Sequence, residues 1–68
     1  MYRMWFDDSK KKTTIQKIGE GIANYRLREE LSPTVVLTHE SQLIKVEGMN
    51  VRSSTGVQKD TFWIGREP

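Results

Sequence analysis

Apolar and polar positions alternate at both ends of this chain. In "MYRMWF", residues 1–6, Tyr2, Met4 and Phe6 share one face and Met1, Arg3 and Trp5 the other, which is the period of a strand. In "DTFWIG", Phe62 and Ile64 alternate with Thr61, Trp63 and Gly65. Between them the period changes. Within "TTIQKIGEGIANYRLREEL", Ile15, Ile18, Ile22 and Tyr25 recur at three- and four-residue steps and form the stripe of an amphipathic helix. Thr13 followed by Gln16 predicts a capping box, and Pro33 closes the element by biasing Ser32 away from helical geometry. Gly19 and Gly21 each cost about 1 kcal/mol relative to alanine inside a helix. Gly19 and Ala23 lie beside the stripe, where small residues permit close approach to a sheet. For Gly21, simple tolerance at an exposed site is the alternative.

"TVVLT" is apolar on both faces, as in an inner strand. "HESQLIKVEG" supports either a short strand or a helical turn carrying Leu43, Ile44 and Val46, ended by Gly48. "MNVRSS" and "DTFWIG" read as an antiparallel pair around "TGVQK". "DDSKKK" is a solvated connection and "REP" a tail. The expected fold is α+β, one small domain over residues 1–68. It is β-α-β followed by a β-hairpin, with the helix packed on one face of a mixed sheet by a right-handed crossover. Tyr2, Met4, Phe6, Val51, Phe62 and Ile64 would lie beneath Ile15, Ile18, Ile22 and Tyr25.

That frame turns Trp5 and Trp63 to the opposite face, together with Arg3 and Arg52. One helix covers one side of so small a sheet, and exposed apolar patches mark interaction sites. Three readings compete for this candidate binding face. The 39–48 segment or the tail folds over the tryptophans, a frame error in either strand having the same effect. Two such faces pack together in a homo-oligomer. Or aromatic and arginine side chains stack bases and neutralise phosphates of single-stranded nucleic acid, at about 1–3 kcal/mol per stacked base. The aromatic and glycine signature of an RNA-recognition motif is absent. Small-molecule or peptide binding, including strand addition to an open edge, completes the range.

Composition sharpens this choice. A chain of 68 residues buries only roughly 60% of the surface its unfolded form exposes, and its net stability is on the order of 3–5 kcal/mol. Such domains draw support from disulfides, metals or partners. The chain has no cysteine and one histidine, which excludes disulfides and thiolate zinc sites and leaves self-association as the expected support. Eleven Lys and Arg against nine Asp and Glu give a net charge of +2, a weak argument for nucleic acid. No apolar run approaches the roughly 20 residues of a membrane span, and Arg3, Asp7 and Asp8 interrupt any signal-peptide pattern. A cytoplasmic location without membrane contact is the expectation.

No catalytic or cofactor motif stands out. "IGEGIAN" holds a G-x-G, but inside a helical period and without the third glycine of a dinucleotide site. His39 adjoins Glu40 and Ser41, yet neighbours in one turn rarely converge as a triad. Asp7 and Asp8 beside "SKKK" read as a solvated cluster, and "SSTG" near Arg52 as a turn. The sequence thus predicts a non-catalytic interaction module without metal or cofactor. Self-association through the Arg3, Trp5, Arg52 and Trp63 face is the preferred reading, and nucleic-acid binding there is the alternative.

Overall fold

A computed structural model describes residues 2–67. Met1 and Pro68, which the sequence reading places in the first strand and the tail, lie outside the described residues. The elements are β1 (Tyr2–Phe6), α1 (Thr14–Glu29), β2 (Val35–Thr38), a 3-10 turn (Glu40–Gln42), β3 (Asn50–Ser53) and β4 (Thr61–Gly65). This is the expected α+β arrangement, one helix packed on a four-stranded mixed sheet.

The helix begins where its cap predicts. The Gln16 N–H donates to the Thr13 hydroxyl at 3.2 Å, and the Thr13 N–H to the Gln16 side-chain oxygen at 2.8 Å. Two orphan donors are thereby satisfied. Glu30, in the left-handed region at φ 57°, ends it by donating its N–H to the Arg26 carbonyl. Arg26 and Arg28 in the last turn complement the helix dipole.

The strand order is β1-β4-β2-β3. β1 and β2 run parallel on either side of β4, which pairs antiparallel with both. β3 pairs parallel with β2. The last two strands follow one another and run in opposite directions, as a hairpin would, but β2 lies between them. The Val35–Val36–Leu37 run is indeed an inner strand.

Ile18, Ile22 and Tyr25 of α1 close over Val36, Phe62 and Ile64, with Trp5, Ile44, Val46, Met49 and Val51 packed around that cluster. The frame of β1 is the reverse of the one expected. Trp5 pairs with Phe62 and Arg3 with Ile64, so Trp5 and Arg3 share the helix-covered face. Tyr2, Met4 and Phe6 point to the opposite side. The reason lies in α1. Gly21, not Gly19, is the close-approach glycine. A Cβ there would sit 2.8 Å from the Trp5 ring and 2.5 Å from Ile64 Cδ1, whereas one at Gly19 meets nothing within 4 Å. The gap at Gly21 receives the indole. Ile15, expected in the stripe, is exposed.

The uncertain 39–48 segment is neither of its two predicted forms at Leu43–Val46. The 3-10 turn precedes these residues, capped by His39, whose Nδ1 accepts the Ser41 N–H at 3.1 Å. An irregular stretch follows, from which Ile44 and Val46 reach the core while Leu43 stays exposed. Gly48, at φ 77°, turns the chain into β3.

Candidate functional site

The side of the sheet away from α1 carries two of the large exposed apolar side chains, Met4 and Phe6. Met4, Trp63, Leu37 and Arg52 form one row across all four strands. Tyr2, Gly65, Val35 and Asn50 form the next row, and Phe6 and Thr61 begin a third.

A clasp crosses the Val35 row. The Glu67 carboxylate accepts from the Tyr2 hydroxyl at 3.1 Å and from the Arg52 guanidinium. The Glu67 N–H donates to the Thr34 hydroxyl, and Arg66 donates to the Ser32 carbonyl. Val35 beneath the clasp is fully buried. Partial desolvation, reinforced by the bond to Glu67, holds the Tyr2 hydroxyl above its usual acidity range. The tail thus covers one part of the face. It leaves Met4 and Phe6 each 57% exposed, beside half-buried Leu37 and Trp63.

Of the four residues expected to share a binding face, the structure brings Arg52 and Trp63 together there. It takes Arg3 and Trp5 to the other side. Arg3 donates to Glu29 at 3.0 Å, tying β1 to the end of α1. Trp5 wedges against Gly21, and its Nε1 is buried without an acceptor among the described residues. Met4 and Phe6 enter the face instead. Sequence reasoning missed them because both sides of β1 are apolar, so alternation alone does not say which one faces the helix.

The electrostatics follow. Among the described strand residues of the open face the one cation, Arg52, is matched by Glu67. Lysines gather instead at the end of the sheet where β1 leaves and β4 begins. There a cleft of about 570 Å³ is lined by Lys10, Lys12, Lys17 and Lys59 with Asp8 and Asp60. Its floor is a closed network. Lys17, buried, donates to Asp60 at 2.9 Å, and Gln42 both donates to the Asp60 carboxylate and accepts the Asp60 N–H, each at 2.7 Å. The bond from Lys17 and then that from Gln42 hold the Asp60 carboxyl below the usual range. Asp7 is held low chiefly by the Ser9 N–H, and Lys12 high chiefly by Glu20. These groups partner one another and form a structural lock between α1, the 3-10 turn and β4.

Comparison with protein-family models, with curated proteins and with solved structures returns no match. The geometry alone therefore bears on function. Among the described residues no His, Cys, Asp and Glu cluster is placed to hold a metal ion, and no helix is long and apolar enough to cross a membrane. His39 spends its Nδ1 on its own turn, with the Ser41 hydroxyl 2.8 Å away.

Proposed function

We propose that this protein is a non-catalytic interaction module that self-associates through the uncovered half of its sheet, formed by Met4, Phe6, Leu37 and Trp63. The observation that carries this reading is the exposure of Met4 and Phe6 beside Trp63, on a face where Arg52 is already paired with Glu67. Large apolar side chains gathered on a small domain favour association, and burial between copies supplies support that its own core lacks. Single-stranded nucleic acid is the weaker reading of the same face. Arg3 is tied to Glu29 on the other side and Arg52 to Glu67, so both arginines expected to take phosphates are already paired.

Sedimentation equilibrium across a concentration series tests the proposal. The native chain should show a mass that rises with concentration, and a Met4→Lys/Phe6→Lys variant should remain monomeric while keeping its fold. A native chain that stays monomeric throughout overturns self-association. Salt-sensitive binding of a mixed oligonucleotide pool would put the nucleic-acid reading in its place.

A further inference from the structure

The edge of β1 gives the association a specific geometry. This inference rests on the self-association reading and adds the partner's register. β1 pairs with β4 on one side and with no strand on the other among the described residues. The Asp7 N–H donates to the Asp60 carbonyl at 3.0 Å. Bonded and non-bonded pairs alternate along an antiparallel ladder. Arg3 and Trp5 therefore spend their backbone groups on β4, and Tyr2, Met4 and Phe6 direct theirs outward. The residues with free backbone groups are also those whose side chains lie on the open face.

Natural sheets blunt such edges with lysine, proline, bulges or very short strands. The other edge, β3, is blunted by polar Asn50, Arg52 and Ser53. β1 carries a single charge among its five residues and no lysine, proline or bulge. That charge, Arg3, is neutralised by an ion pair with Glu29 at the end of α1, although its side chain stays 39% exposed.

We infer that two copies join by antiparallel pairing of β1 with β1 about a two-fold axis at Met4, fusing two four-stranded sheets into one. The strand is self-complementary in this register. Met4 faces Met4 of the second copy, Tyr2 faces Phe6, and Arg3 faces Trp5. All five residues of β1 are used. The outward backbone groups of Tyr2, Met4 and Phe6 meet those of Phe6, Met4 and Tyr2. On the open face, aromatic pairs flank the methionines. On the helix side, Arg3 meets the Trp5 indole of the second copy in the closer, non-bonded type of pair, an arrangement suited to a cation–π contact. Shifting the register by two residues either way shortens the ladder, and one of the two shifts also opposes Arg3 to Arg3. The exposed Met4 and Phe6 side chains of both copies become one continuous apolar strip beside Trp63.

Single-cysteine variants of the full chain separate this geometry from face-to-face stacking, because the native sequence has no cysteine. A bonded antiparallel pair sets its Cα atoms about 5.5 Å apart, within the range a disulfide spans. Under mild oxidation Met4→Cys should therefore give a covalent dimer, and Trp63→Cys, remote from the axis, should not. Met4→Pro removes the outward N–H without breaking a bond to β4. It should weaken association about tenfold or more relative to Met4→Ala. Cross-linking by Trp63→Cys but not by Met4→Cys overturns the edge geometry and leaves self-association standing. A native chain monomeric at every concentration overturns both.

Discussion

Replacing Gly19 and Gly21 in turn by alanine subjects the helix to one chemical change in two environments. At Gly19 the added methyl meets nothing within 4 Å. The substitution should stabilise the fold by about 0.5–1 kcal/mol, through helix propensity and a less flexible unfolded chain. At Gly21 the same gain applies, but the methyl would lie 2.5 Å from Ile64 Cδ1 and 2.8 Å from Trp5 Cγ and Cδ1. The Ile64 terminus can swing aside. The Trp5 ring cannot, since it is held between α1 and a paired strand. Either α1 rises off the sheet or the indole leaves its slot. Overpacking of this kind costs about 1–3 kcal/mol or more, so the net effect should be destabilising by about 1–2 kcal/mol. Urea titrations followed by tryptophan fluorescence give both midpoints. They should move in opposite directions with unchanged slope. Equal shifts for the two variants would refute the placement of Trp5 under the helix, and with it the assignment of Met4 and Phe6 to the open face.

Thr13→Ala should cost about 1 kcal/mol, the usual loss on removing an N-cap hydroxyl, and Thr13→Ser should restore most of it in the same titration. Phe62→Ala removes a fully buried ring from the centre of the core and should cost about 3–5 kcal/mol. Circular dichroism should then show a largely unfolded chain, given the small reserve of a domain this size. Asp60→Asn leaves Lys17 buried without its counter-charge. The cost should be about 2 kcal/mol, less than for a fully buried pair, because the Asp60 side chain keeps 21% of its exposure. The Asp60 carboxyl titrates lower in the folded chain than in the unfolded one. Its contribution is therefore complete above the unfolded value and is lost as pH falls below about 4. The native chain should lose stability over that window, and Asp60→Asn should flatten the acid limb, as thermal melts between neutral and acid pH will show.

Local rules were sufficient wherever one local signal had one meaning. The Thr13–Gln16 box marked the helix start. The doubly apolar Val35–Leu37 run marked an inner strand, and the Phe62/Ile64 alternation gave β4 its correct face. β1 defeated the same logic because Tyr2, Met4 and Phe6 outnumber Trp5 in apolar residues, yet one indole fitted to a glycine slot outweighs them. Hydropathy also says nothing of Lys17 and Gly21. Both occupy the buried side of α1, one through an ion pair and the other through the absence of a side chain. The Lys17–Asp60–Gln42 lock joins three distant parts of the chain, and no local pattern announces it. Its one trace is a lysine in register with Gly21 and Tyr25 at four-residue steps. The order of the strands was equally hidden, since turn residues between β3 and β4 do not reveal that β2 lies between those strands.

The insertion of β4 between β1 and β2 constrains how the chain acquires its structure during synthesis. β1 and β2 share no ladder until Thr61–Gly65 arrives to bridge them. Phe62 and Ile64, against which α1 packs, arrive with it. Tyr2 must find Gly65, so the key pairings are among the longest in sequence that the domain could form, and high contact order slows folding. A growing chain that has reached residue 60 lacks the strand that joins β1 to β2 and two of the core residues against which α1 packs. Completion of the fold therefore waits for β4, and premature termination just short of it would release a chain without Phe62 and Ile64, the strand residues on which α1 packs.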